Sequence, residues 1–348
     1  VLLWYYLFLL VVLAAQSPRL WHYPAMALVC VYSYTVHQRT LGLAIAAGLF
    51  VLWQFFTKKI TWRHLLAFAA VLAGCWLRAG ALKAFVKQTS WPQTTDAVEA
   101  TNEMSGQLGK IQMIFTPSGM FDFILSLSGK VFYMAAASML VVFVTGTFCV
   151  QRLWQDFCTA RREKSLVHVD TVNAFLFLST CATVAISAIF MIVPGSTAHL
   201  YYGRYSDHIM GVLMLIGLCE LYRRRLSWKM LAHSLALFLL LSITAAYYRL
   251  RTGVGGDISI NIAGIGPFVE YGATHFVLLF LLSGGLFCLF ALLQRRPLRL
   301  SAARPSAMMA GVCLITWACT GLWSYLHFTD TTLPEAARSS QTMADTIQ

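Results

Sequence analysis

The chain has 348 residues, 58% of them hydrophobic and only 11% charged, and its mean hydropathy is +0.67. So little polar surface cannot clothe so much apolar mass in water, which excludes an ordinary soluble domain and predicts an all-α, polytopic transmembrane protein. The net charge of +12 would suggest nucleic acid in a soluble protein, but the basic residues fall between apolar runs rather than on a patch, and nucleic acid is excluded as a partner.

Reading apolar runs of about 20 residues as spans predicts ten, at about 1–15, 20–36, 41–57, 62–80, 131–151, 171–194, 209–222, 231–248, 275–294 and 308–328. The first begins at Val1 without an initiator Met and is short for a bilayer of about 30 Å. We therefore expect an N-terminal part upstream, with at least one further span and an outer loop. After the fourth span comes a polar stretch of about 81–130, in which 95–108 is compatible with a surface helix. Within it, 121–130 is too short to span and mixes aromatic residues with Asp122 and Lys130, as an interfacial helix does. It leads directly into the fifth span. The remaining outer loops are predicted at about 195–208 and 249–274, so that 1–328 is one transmembrane domain and 329–348 a polar extracytoplasmic tail.

Orientation follows from the loops, because Lys and Arg collect on the cytoplasmic side. One face receives Lys58, Lys59 and Arg63, then Arg152, Arg161, Arg162 and Lys164, then Arg223 to Arg225, then Arg295, Arg296 and Arg299. That face is assigned to the cytoplasm, and the outer face takes the long loops and most of the acidic residues. Of the nine cysteines, eight fall within or at the ends of apolar spans and Cys158 in a cytoplasmic loop, a distribution that suits packing rather than disulfides. No CxxC and no His/Cys spacing suggests a structural zinc. The glycine-rich 252–267 lacks the Gly-Lys-Ser/Thr ending of a phosphate loop.

The most informative segment is His199-Leu-Tyr-Tyr-Gly-Arg-Tyr-Ser-Asp-His208, followed at once by an apolar helix and then Arg223-Arg224-Arg225. An Arg and an Asp at a membrane boundary are costly unless they pair or bind something. Gly203-Arg204-Tyr205-Ser206-Asp207, entering a span from outside, resembles the Arg-Tyr signature that opens a late helix in polytopic bacterial glycosyltransferases of the GT-C superfamily. Ser128-Gly-Lys130-Val-Phe-Tyr133 resembles the Gly-(Gln/Lys)-x-x-Tyr start of a preceding helix in that group, and the two occur in the expected order. The resemblance covers about 120–230. It implies a GT-C-like fold in the bacterial plasma membrane, a polyprenyl-phosphate-sugar donor, an extracytoplasmic glycan or glycolipid acceptor, and an active site on the outer face. It leaves a divalent metal open. The family's usual catalytic Asp in the first outer loop has no counterpart here and is expected in the absent N-terminal part.

The chemistry of such a donor assigns roles to the residues at hand. A lipid phosphate leaves as an anion, so the site needs a fixed cation, and guanidinium suits phosphate through its bidentate fork. Arg204 is the first candidate, with pairing to Asp207 as the competing explanation, and Lys130 is the second, with an interfacial anchor competing. A carboxylate to take the acceptor's proton is also required. Asp207 and His208 are the nearest candidates, although Asp207 also suits an N-cap or a dipole partner of the helix from Ile209. Tyr205 and Tyr133 would line the sugar or lipid, or simply sit at the interface as tyrosines do. A transporter or flippase of lipid-linked saccharides, which calls for charged or broken-helix features in the membrane, and a non-catalytic subunit are the alternative functions.

Overall fold

The computed structural model describes residues 2–36, 40–90, 104–164, 169–190, 206–224, 226–252, 265, 273–295 and 303–327. These residues form twelve helices and, among the described residues, no strand. In chain order they are α1 (Leu2–Gln16), α2 (His22–Val36), α3 (Leu41–Phe56), α4 (Trp62–Ser90), α5 (Met104–Ile114), α6 (Pro117–Ala137), α7 (Val141–Glu163), α8 (Thr171–Phe190), α9 (Asp207–Arg223), α10 (Trp228–Thr252), α11 (Ala273–Arg295) and α12 (Ala303–His327). Five stretches are long and apolar enough to cross a membrane: Trp62–Leu82, Pro117–Ala137, Thr171–Phe190, Trp228–Tyr247 and Val277–Gln294. Leu2–Gln16, Leu41–Phe56 and Ala307–Trp323 are shorter apolar helices. The chain is thus an all-helical membrane protein.

Local chemistry sets the helix ends. Pro117 opens α6, where its missing N–H costs nothing, and the Thr116 hydroxyl accepts the Gly119 N–H at 3.1 Å. Asp170 caps α8 by accepting the N–H groups of Val172 and Asn173, each at 3.1 Å. At the end of α3, Lys58 N–H bonds Phe55 O and Lys59 N–H bonds Gln54 O, with Lys58 at φ 58°, a Schellman ending with a lysine where glycine is usual.

The chain divides into two compact units, one of Val1–Phe123 with Gly146–Ile192 and the other of Ile124–Thr145 with Val193–Gln348. In the first, α2 packs on α1, α3 and α4, while α3 and α1 pack on α8 and α5 joins them there. Tyr23 donates to Gln54 Oε1 at 2.8 Å, Tyr34 stacks on Trp76, and Phe50 meets Phe175 edge to face. In the second, α11 packs on α10 and α12, and α9 on α12. Gln294 of α11 donates to Leu221 O at 2.6 Å and accepts the Leu226 N–H at 3.0 Å, pinning the turn between α9 and α10.

Two expectations are corrected. The segment 121–130 is no separate interfacial helix but the middle of α6, and the expected fifth span at 131–151 is interrupted. After Ala137 the chain turns: Leu140 N–H bonds Ala135 O at 2.7 Å, Met139 N–H bonds Ala136 O at 3.1 Å, and both Met139 (φ 50°) and Leu140 (φ 65°) are left-handed. Hydropathy reads straight through this break because every residue around it except Ser138 is apolar. Ser138, in the turn before α7, accepts the Val142 N–H of its first turn on its hydroxyl at 3.3 Å. Elsewhere the 81–130 stretch is largely helical, with α4 continuing to Ser90 and α5 occupying part of the expected surface helix; 91–103 lies outside the described residues. All nine cysteines are free thiols.

Candidate functional site

The break in α6–α7 is the centre of the second unit. Every residue from Phe132 to Val141 is buried. Phe132 stacks on Phe238 of α10 at 5.5 Å between centroids, and Phe238 on Phe280 of α11 at 5.3 Å. Ala135, Ala136 and Ala137 leave room for neighbours to reach the backbone. Ser283 Oγ donates to Ala136 O at 3.2 Å, Trp317 Nε1 to Ala137 O at 2.7 Å, and Cys313 Sγ lies 3.9 Å from Ser138 O. The Ala136 carbonyl thus takes a second donor beside the Met139 N–H, and the Ala137 carbonyl, which the end of the helix leaves open, is satisfied away from water, the condition for ending a helix inside an apolar medium.

One turn before the break, α6 carries the chemistry. Lys130 is 1% exposed, and Tyr133, three residues on and so on the same face, is fully buried. The Tyr133 hydroxyl donates to Asp207 Oδ1 at 2.7 Å, joining α6 to the first residue of α9. His208 follows, half-buried. The first turn of α7 and the middle of α9 approach closely. The Thr145 hydroxyl donates to Leu213 O, and a Cβ on Gly217 would come within 2.7 Å of the Val141 carbonyl oxygen. Only glycine permits that approach, and it holds α9 where Asp207 meets Tyr133.

The structure therefore brings Tyr133 and Asp207 into contact and puts Lys130 on the same face of α6, all within one compact unit. Two competing explanations are corrected. Lys130 is not an interfacial anchor, because its burial denies it the water that a snorkelling ammonium seeks. Asp207 is not the N-cap of α9, where Ser206 stands with no side-chain cap bond; it is the acidic residue of the first turn, as a dipole partner is, and its carboxylate turns to Tyr133. Arg204 and Tyr205, like His199, lie outside the described residues. Glu220 at the far end of α9 pairs with Arg223 and Arg224, at 3.7 and 3.4 Å.

No protein-family model, curated protein or solved structure matches the chain. The site stands on its own residues. The buried Lys130 ammonium and Tyr133 hydroxyl are donors that suit an anion, and the half-buried Asp207 carboxylate can accept a proton from a hydroxyl. Taking charges out of water is expensive, so groups placed this way in a membrane protein mark a working site more often than a stabilising one. Among the described residues, no group of three or more His, Cys, Asp or Glu side chains is placed to hold a metal. Sequence reasoning missed Ser283, Cys313 and Trp317, whose importance arises only from the break they satisfy. Ser138, a helix-capping type inside an apolar run, was the one available signal.

Proposed function

We propose that this chain is a GT-C-like membrane glycosyltransferase of about ten spans, transferring a sugar from a polyprenyl-phosphate carrier to an extracytoplasmic glycan or glycolipid in the bacterial plasma membrane. The observation that carries the proposal is Lys130, buried on the face of α6 that also presents the Tyr133–Asp207 pair. In this reading Lys130 and Arg204 hold the carrier phosphate and stabilise the charge that develops as it departs. Asp207, oriented by Tyr133, takes the proton of the attacking hydroxyl, and Tyr205 and His208 line the donor. The motifs at 128–133 and 203–207 support the reading, since Tyr133 of the one bonds Asp207 of the other.

A flippase or transporter of the same lipid-linked saccharide is the second reading, favoured by the broken helix at 138–140. Discontinuous helices inside a membrane commonly line the path of a transported solute. Purified protein in lipid nanodiscs, exposed to a photoreactive polyprenyl-phosphate analogue, tests the site common to both. We expect attachment within 121–133 or 199–208, reduced about ten- to a hundred-fold by Lys130→Ala or Arg204→Ala, as loss of a charged hydrogen bond implies. Labelling that is absent, or indifferent to both substitutions, refutes the site. In proteoliposomes, appearance of the sugar on an added acceptor supports transfer, whereas movement of intact donor between leaflets supports the transporter.

A further inference from the structure

The first compact unit contains a second polar locus, apart from the residues discussed above. Trp4 Nε1 on α1, Ser33 Oγ on α2, and Thr180 Oγ1, Thr183 Oγ1 and Ser187 Oγ on α8 are buried and have no hydrogen-bond partner among the described residues. Trp4 is 2% exposed, Ser33 4%, Thr183 2% and Ser187 1%. Helical serines and threonines ordinarily satisfy themselves by donating to the carbonyl one turn back. This chain does so at Ser242 to Phe238 O, Thr244 to Leu240 O and Thr320 to Thr316 O, at 2.7, 2.9 and 2.8 Å. The hydroxyls at 33, 180, 183 and 187 do not, so they are directed elsewhere.

These groups lie at one level of the unit. Residues 16 and 22 end and begin the paired helices α1 and α2, so Trp4 and Ser33, each about three helical turns and roughly 17 Å along its helix from that link, come level with each other. Cys30, one turn before Ser33, reaches toward Leu43 O of α3 at 4.0 Å. A Cβ on the adjacent Gly42 would touch Ala182 and Ile186 of α8, residues beside Thr183 and Ser187. α1 packs on both α2 and α8. On α8 the positions 180, 183 and 187 follow one another at helical spacing and share a face. Lys110 of α5 donates to Phe190 O at 2.8 Å, three residues beyond Ser187, so α5 is fastened at this end of α8.

We infer that Trp4, Ser33, Thr183 and Ser187 form a binding site for internal water. A site with an indole N–H that only donates and hydroxyls that both donate and accept matches a water molecule, which takes two hydrogen bonds and gives two. Buried water characteristically serves groups that protein atoms leave unsatisfied, with two to four partners each. Trp53 Nε1 and Gln54 Nε2 are also unpartnered, but they lie near the C-terminal end of α3, away from Gly42, and are not part of this site.

Hydroxyl-radical footprinting by X-ray radiolysis of the full chain in nanodiscs tests the inference, because radicals formed from bound water oxidise the side chains that hold it. Trp4 is expected to be oxidised at a rate within an order of magnitude of exposed Trp154, while Phe50, buried in the same unit, stays unmodified. Ser187→Ala and the double variant Thr183→Val with Ser187→Ala are expected to lower Trp4 oxidation several-fold and leave Trp154 unchanged. Wild-type Trp4 that is as unreactive as Phe50 overturns the inference even if the double variant fails to fold. So does Trp4 oxidation that persists in a folded Ser187→Ala variant.

Discussion

Gly217→Ala tests the close approach that places Asp207. A methyl group there would lie 2.7 Å from the Val141 carbonyl oxygen, from Val141 Cγ1 and from Thr145 Oγ1. Ordinary contacts need at least ~0.7 Å more, and the backbone oxygen cannot rotate away, so α9 must shift from α7 or the helices must bend. Overpacking of this kind costs about 1–3 kcal/mol, against a helix-propensity gain of about 1 kcal/mol for replacing glycine by alanine. Because the clash is with backbone, the cost falls toward the upper end of that range, and the expected net loss is up to about 2 kcal/mol. All nine cysteines are free, and Cys30, Cys149 and Cys313 are buried, so thermal unfolding in detergent can be followed by a thiol-reactive coumarin maleimide. Gly146→Ala is the control, because a Cβ there meets nothing within 4 Å and the substitution should be neutral or stabilising. A Gly217→Ala protein that melts at or above the wild-type temperature, beside a well-behaved control, refutes the proposed helix approach. Displacement of α9 should also stretch the 2.7 Å bond between Tyr133 and Asp207, so the variant should lose photolabelling by the lipid analogue more than its lowered stability explains.

Lys58→Gly should stabilise by about 1 kcal/mol, since Lys58 is exposed and left-handed at the end of α3, and the melting temperature should rise. Asp170→Ala removes the acceptor for two amides at the start of α8 and should cost about 0.5–2 kcal/mol in the same assay. Trp317→Phe keeps most of the ring but leaves the Ala137 carbonyl without its donor, and a loss of about 1–3 kcal/mol is expected. An unchanged melting temperature for Trp317→Phe would mean that the break does not depend on α12.

The helical character of the chain was legible because apolar runs bounded by basic loops leave few other solutions in a membrane. Four of the five membrane-length helices match predicted spans to within a few residues at each end. The fifth was misplaced for an identifiable reason. Between 131 and 151 hydropathy is uninterrupted, and the turn at Met139 and Leu140 uses no glycine or proline, so its left-handed backbone has no sequence marker. What holds that turn is tertiary, coming from Ser283 and Trp317. The site was legible in part. Lys130, Tyr133 and Asp207 were visible as polar residues beside apolar helices, but the bond between Tyr133 and Asp207 spans 74 positions and follows no local spacing. The burial of Lys130 was hidden for the same cause: a lysine near a predicted span boundary looks like an anchor until α6 is seen to begin at Pro117.

The break after Ala137 also constrains how the protein is made. Its carbonyls are satisfied by Ser283, 147 positions later, and by Trp317, 180 positions later. During synthesis the Ala136 carbonyl already has the Met139 N–H, whereas the Ala137 carbonyl waits for the indole of α12. A chain cut short before α12 would present the Ala137 carbonyl to lipid without its indole partner.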